Sequence, residues 1–278
     1  MWRWYDATVV VSPSAAEGEE KNQDRGRWDA NLMCACLCDG LTSSPYSAAA
    51  AEYVVEGAHR ILDSPETDPR LSVSPICEEL LELRKSCQRR PVCFDDSIAP
   101  GLRDMLTDVV QSKRQFAYQT TMAALRIFPP DQHECLVRAA WCGDTGIFSF
   151  TDEGKLLWSN LGITSGWNTQ ASTTHALPDD LERVDSRQFV IGDTLGGEGE
   201  PAPRLPSTCQ FLLATDGFYT AFSGFEEMSE WLQSRGHRLR DEGDSAILLR
   251  DLHTTRAKRA SDDDISLLWV TPTPPPSP

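Results

Sequence analysis

The chain has 278 residues, of which 40% are hydrophobic and 24% are charged, and a formal net charge of −16. This size and composition can bury a large core without disulfides or a structural metal. The negative charge argues against nucleic acid or an anionic membrane surface as the main partner. No apolar run reaches the ~20 residues of a membrane span, and residues 1–6 do not resemble a signal peptide. We therefore expect a cytoplasmic protein whose nine cysteines are reduced thiols.

Two strands are predicted in the first part of the chain. Residues 5–12 are rich in β-branched side chains and lead into a charged loop. Residues 32–38 are apolar on both alternating faces, which is typical of a strand buried between two layers, and they end at Asp39-Gly40. Three cysteines share one face of this strand. We interpret them as core residues, because alternate positions of one strand cannot surround one metal ion.

Helices follow between this strand and residue 113. Ser44 and Pro45 have the residue types of an N-cap and a first helical position, and the apolar spacing continues to about residue 62. Two more helices are predicted over 76–90 and 101–113. We interpret residues 62–113 as a helical insertion.

The rest of the chain predicts mainly strands. Residues 159–206 have a weak pattern and are interpreted as a flap-like segment, and the Pro-rich residues 271–278 as a disordered tail after a single domain over 1–270. The predicted strands are 116–128, 135–142, 148–150, 155–158, 189–191, 209–215 and 265–270, with helices near 226–234 and 245–258.

Carboxylates recur where predicted strands end beside glycine. Asp39-Gly40, Gly143-Asp144 and Asp216-Gly217 each follow a buried strand, and the run 261–264 precedes the last one. A single Asp-Gly is a common turn, but several in register with strand ends can converge on one hard cation. Oxygen ligands without His or Cys partners select Mg²⁺ or Mn²⁺ over zinc.

The order of these motifs resembles the metal-dependent serine/threonine protein phosphatases of the protein phosphatase 2C type. The resemblance runs over nearly the whole chain, and its strength lies in the order of motifs that are weak individually. The matching segments are Asn22-Gln23-Asp24, Asp39-Gly40 with the Ala-rich stretch after it, residues 118–124, Cys142-Gly143-Asp144-Thr145, residues 213–218 and residues 261–266.

The resemblance implies a fold and a set of site residues. The fold is α+β, a four-layer αββα sandwich of two antiparallel sheets flanked by helices. Asp39 would bridge two Mg²⁺ or Mn²⁺ ions, with the Gly40 carbonyl on one of them. Asp216 and Asp263 would hold the other ion, and with Asp39 they would be the catalytic ligands.

Two further carboxylates complete the implied metal set. Asp24 would act through metal-bound water, and Asp144 would help to hold an accessory third ion. The implied chemistry is direct attack by a metal-bridging hydroxide on the phosphorus of phosphoserine or phosphothreonine, without a covalent enzyme intermediate.

Three positions depart from the family pattern. Glu19 stands where the family carries a phosphate-gripping Arg, and Lys21, Arg25 or Arg27 would have to replace it. Leu41 cannot donate a proton to the leaving alkoxide. Gln23, in place of Glu, removes one charge near the metals.

We therefore predict a bacterial-type, metal-dependent serine/threonine protein phosphatase that acts in signalling. Its partners would be phosphoproteins made by a serine/threonine kinase, with neither nucleic acid nor membrane involved. A catalytically weak regulatory or binding module on the same fold is the alternative that Glu19 and Leu41 favour. A small-molecule phosphatase or phosphodiesterase on the same metal centre is a third hypothesis.

Overall fold

The computed structural model describes residues 4–11, 22–63, 67–94, 98–131, 134–161, 175–192, 203–235, 252, 254 and 264–273. Over these residues the chain forms two sheets stacked face to face. The first sheet is antiparallel throughout. In spatial order its strands are β1 (Trp4–Val11), β11 (Ser266–Thr273), β10 (Gln210–Ala214), β6 (Gly146–Phe150) and β7 (Leu156–Ser159).

The second sheet is antiparallel except at one edge. There the last two strands pair in parallel, through Val190 with Arg204 and Ile191 with Leu205. In spatial order the strands are β2 (Arg25–Asp29), β3 (Cys34–Cys38), β4 (Met122–Asp131), β5 (Glu134–Cys142), β8 (Asp185–Ile191) and β9 (Arg204–Leu205).

Helices cover the outer surfaces of both sheets. The helices on the second sheet are rich in apolar side chains at helical spacing. The short helix after β10 is the first helix of the layer on the first sheet. Within the described residues no helix is both long and apolar enough to cross a membrane. The helices are α1 (Ser47–Ile61), α2 (Pro69–Arg89), α3 (Pro100–Arg114), α4 (Asp216–Tyr219) and α5 (Phe225–Arg235).

Three apolar layers hold the four structural layers together. The middle layer lies between the sheets and includes Leu37, Leu125 and Phe211. One outer layer packs α1 and α2 onto the second sheet, and the other packs α4 and α5 onto the first. The alternation of side chains along each strand supplies both faces. The α+β sandwich of αββα layers that the resemblance implied is confirmed.

The cysteines of β3 have the structural role that the strand pattern predicted. Cys34, Cys36 and Cys38 are buried on the face that packs against α1, whereas Ala35 and Leu37 face the other sheet. Among the described residues, which include all nine cysteines, none forms a disulfide. The burial of Cys34, Cys36 and Cys38 confirms their interpretation as core residues.

The predicted start of α1 was wrong. Ser44 is not the N-cap, because its buried hydroxyl donates to the Phe116 carbonyl (2.7 Å) and accepts from the Gln119 amide (2.9 Å). The N-cap is Tyr46, whose side chain caps no helix amide. A contact distant in sequence thus takes the hydroxyl that local chemistry would assign to the helix.

The predicted end of the last strand was also wrong. Strand β11 continues past Val270, and Thr271, Pro272 and Thr273 pair with residues of β1. Strand β10 stops pairing at Val270, so this last part of β11 has a neighbour on one side only. A proline without an N–H is tolerated at such an open edge. Residues 274–278 lie outside the described residues.

Helix α2 begins seven residues before its predicted start. Asp68 caps it by accepting from the Arg70 amide at 3.0 Å, and Pro69 occupies the first turn. Pro75 lies inside the helix on its exposed side. In contrast, β4 begins at Met122 rather than 116. The helix predicted near 245–258 lies outside the described residues except for positions 252 and 254.

Candidate metal centre

Asp39 lies directly after β3 and is fixed through its backbone. Its carbonyl accepts from the Thr121 amide (2.8 Å) and from the Thr120 hydroxyl (2.9 Å), and its own amide donates to Thr121 Oγ1 (3.2 Å). The Thr121 hydroxyl also forms a short hydrogen bond with Thr145. These buried threonines hold the end of β3 against the start of β4 and the loop after β5.

Gly40 is required by close packing. A Cβ atom at this position would lie 2.8 Å from the carbonyl oxygen of Gln23. The absence of a side chain therefore lets the segment after β3 approach the segment that contains Asp24.

Asp24 is the most deeply buried of the predicted site carboxylates that the structure describes, with 1% of its surface exposed. Its amide donates to Asn22 Oδ1 at 2.7 Å, which shapes the turn before β2. Burial raises the pKa of Asp24 to about 6, and the negative charge of Asp264 adds to the rise. Its Oδ2 atom has no hydrogen-bond partner in the described part of the structure.

The carboxylates of Asp24, Asp216 and Asp144 each lie close enough to Asp39 for their charges to act on it. Burial raises the pKa of Asp39 well above its usual range, and the charges of Asp24, Asp216 and Asp144 raise it further. The structure therefore brings together four of the predicted site carboxylates, from different parts of the sequence. Such repulsion is relieved when a cation is bound among them.

Asp144 and Asp216 are held by the elements that follow β5 and β10. The Tyr219 hydroxyl donates to the Asp144 carbonyl at 2.8 Å, so α4 is tied to the loop of Asp144. Asp216 begins α4, and its carbonyl accepts from the amide (2.9 Å) and the hydroxyl (2.6 Å) of Thr220.

The sequence interpretation overlooked Asp264 as a site residue. Its Oδ2 atom accepts from the Gln23 amide at 3.2 Å, and so connects the start of β11 to the early acidic motif. Its position as the last acidic residue before the final strand could have identified it from the sequence. Asp263, the residue predicted to bind metal, lies outside the described residues.

The chemistry of these donors fits divalent cations. They are hard oxygen ligands, several are desolvated, and one buried oxygen of Asp24 lacks a hydrogen-bond donor. Within the described ranges, however, no group of three or more acidic, His or Cys side chains forms a ligand set that could hold a metal ion. The predicted set also includes Asp263, so the described residues supply only part of it.

Arg25 and Arg27 are the described candidates for binding the substrate phosphate, and the structure places both in other contacts. The guanidinium of Arg25 pairs with Glu52 (2.8 Å) and donates to the carbonyls of Asn22 (3.0 Å) and Asp24 (2.7 Å). Arg27 lies beside α1, where it lines a small cavity with Val55 and other residues of that helix. Glu19 and Lys21 lie outside the described residues.

A buried arginine that sequence analysis did not single out connects α2 with the site loops. Arg84 donates to both carboxylate oxygens of Asp179 (2.5 and 2.9 Å) and to the Ala117 carbonyl (2.7 Å). Gln119 donates to the same carboxylate at 2.6 Å. The next residue, Thr120, pairs with Leu177 and with Gly40. Arg84 lies among the ordinary polar residues of an amphipathic helix, so no local signal distinguished it.

Two stacked sheets between helical layers, with carboxylates gathered at the strand ends, are the architecture expected of a metal-dependent protein phosphatase. The chain belongs to the protein phosphatase 2C family, whose sequence profile matches residues 13–254. A search of curated proteins gives no significant match.

Solved structures of bacterial phosphatases share the fold over nearly the whole chain. PppA, a key regulatory component of T6SS in Pseudomonas aeruginosa, is 14% identical with a TM-score of 0.58, over 97% of this chain and 98% of that one. The serine/threonine phosphatase Stp1 from Staphylococcus aureus is 12% identical with a TM-score of 0.57, over 96% and 94%. The catalytic domain of PstP, in complex with two manganese ions, is 15% identical with a TM-score of 0.53, over 97% and 98%.

Proposed function

We propose that the protein hydrolyses phosphoserine and phosphothreonine on proteins with the help of Mg²⁺ or Mn²⁺. The observation that carries this proposal is the approach of Asp24, Asp144 and Asp216 to Asp39. Family membership and the manganese-bound relative PstP support it.

The chain's own residues would hold the cations and fix their surroundings. We assign Asp39, Asp216 and Asp263 as the central ligands, with the Gly40 carbonyl, Asp24 and Asp144 completing the set. Two divalent cations held in this way would neutralise phosphoryl oxygens and generate hydroxide from water near neutral pH. The buried threonines 120, 121 and 145 would keep the ligand-bearing strand ends in register.

The proposed substrates are phosphoproteins that a serine/threonine kinase produces, and the proposed place of action is the cytoplasm. The free state of all nine cysteines supports a reducing compartment. We assign residues 62–113 as an insertion and 159–206 as a flap on a single phosphatase domain, and a role in signalling follows from the substrate class.

A binding or regulatory module with little turnover is the second candidate. The observation that favours it is the engagement of Arg25 with Glu52 and two carbonyls, together with the placement of Arg27 beside α1. Leu41, whose amide donates to the Gln119 carbonyl, has no side-chain proton to give.

Phosphate release from a phosphothreonine peptide and from an aryl phosphate, each with and without added Mn²⁺, separates these functions. A phosphatase releases phosphate from the peptide only with the metal, and Asp216→Asn abolishes the release while the control Asp104→Asn, on exposed α3, does not. Peptide binding without turnover would support the module instead. Hydrolysis of the aryl phosphate alone would favour the small-molecule phosphatase.

A further inference from the structure

Two tyrosines beside the metal centre stack on each other, and both have a backbone conformation that is unfavourable for tyrosine. The ring centroids of Tyr46 and Tyr118 are 5.2 Å apart, with 19° between the planes. Both residues have positive φ, 63° and 62°. An L-residue in the left-handed region costs roughly 1–2 kcal/mol, and Gly, Asn or Asp usually occupy such turns. Local conformation therefore does not explain why either position is a tyrosine.

Capping chemistry does not explain Tyr46 either. It is the N-cap residue of α1, where Ser, Thr, Asp or Asn would satisfy a free amide, yet its side chain makes no capping hydrogen bond. Tyr46 as a whole is 49% exposed. Tyr118 lies partly buried beneath it, packed on the core under α1 and α2. Tyr118 thus supports a flat aromatic surface that Tyr46 presents to solvent.

The same two loops that carry the tyrosines also carry the metal site. The Tyr118 amide donates to the Pro45 carbonyl (2.9 Å), and farther along the loops the Thr121 amide donates to the Asp39 carbonyl (2.8 Å). Tyr118 and Thr121 are three positions apart, which is at most about 10 Å of chain. An extended substrate peptide covers that distance in two or three residues.

The neighbouring charge indicates which side chain suits this surface. The positive charge of Arg90 also acts on the Tyr118 hydroxyl, so a second cation there would be repelled. A neutral aromatic ring can stack on Tyr46 without that repulsion.

We propose that Tyr46 and Tyr118 form an aromatic subsite, which binds an aromatic side chain two or three residues from the phosphorylated Ser or Thr of a protein substrate. The subsite rests on the proposed phosphatase function and adds a sequence preference to it. Tyr46 supplies the contact surface, and Tyr118 positions it.

Phosphothreonine peptides with Phe placed in turn at each of the three positions on either side of the phosphoresidue test this subsite. Relative to the all-Ala peptide, the wild type should favour Phe at one position by about threefold to tenfold in kcat/KM. Tyr46→Gly should bring that ratio to one, and Tyr46→Phe should preserve it. Glycine suits the φ of 63° at this position, so loss of the preference without loss of thermal stability separates recognition from folding.

Leu71→Ala, which removes an exposed apolar side chain of α2, is the matched control and should keep the wild-type ratio. The subsite is refuted if the peptides are hydrolysed without any preference for Phe, if Arg is preferred to Phe, or if Tyr46→Gly retains the preference. Absence of Mn²⁺-dependent release from every peptide overturns the phosphatase function itself, and the subsite with it.

Discussion

Gly143 offers a sharp test of how the loop before Asp144 is built. Its φ is +91°, and an added Cβ would meet the His175 carbonyl oxygen and lie 2.8 Å from Thr121 Cγ2. The left-handed conformation would cost Ala about 1–2 kcal/mol, and forcing apart a packed backbone another 1–3 kcal/mol or so. Gly143→Ala should therefore lower the free energy of unfolding by about 2–5 kcal/mol.

Thermal unfolding followed by circular dichroism measures this effect. A loss of that size corresponds to roughly 5–15 °C in Tm. Gly101→Ala is the matched control, because nothing lies within 4 Å of the added Cβ and the position is helical. It should leave Tm unchanged or raise it slightly. Equal Tm values for the two variants would refute the packing account of the Asp144 loop.

Two other predictions concern buried groups outside the metal centre. Arg84 is only 7% exposed, and Asp179→Asn leaves its guanidinium without an anionic partner. This change should lower the free energy of unfolding by about 1–3 kcal/mol in urea titrations. Stability equal to wild type would contradict the role of this ion pair. Burial raises the pKa of Cys34 and of Cys77 to about 12, so both remain protonated and unreactive in the folded state through pH 9. Iodoacetamide should therefore modify exposed Cys93 first, as detected by mass spectrometry, and should label Cys34 and Cys77 only near pH 12 or after unfolding. Early labelling of Cys34 at pH 8 would contradict its burial.

Much of the fold could be predicted because its main strands have strong local signals. Residues 34–38 alternate between two buried faces and stop at Asp39-Gly40, so both the strand and its functional end were evident. Strand β2 was missed because its alternate residues Arg25 and Arg27 are charged, and the segment resembles a polar loop. Its pairing with β3 makes it a strand.

The errors occurred where distant contacts override local preference. Ser44 has the chemistry of an N-cap, but Phe116 and Gln119 engage its hydroxyl. Pro272 suggested the end of the sheet, but it lies where β11 has only one neighbour. Arg84 and Asp179 are far apart in sequence, so their ion pair could not be read from local pattern. The convergence of site carboxylates was predictable only because several motifs occur in order.

The most direct test of the central claim is phosphate release from a phosphothreonine peptide across a Mn²⁺ titration, for the wild type and for Asp39→Asn. We expect turnover that saturates with Mn²⁺ and falls at least about 100-fold in the variant. Removing a metal ligand should reduce activity more than removing a residue that only supports the ligand. The variant should remain folded, since replacing one of four clustered carboxylates reduces their repulsion. Metal-independent turnover, or equal turnover in the folded variant, would contradict the assignment of these carboxylates as the metal centre.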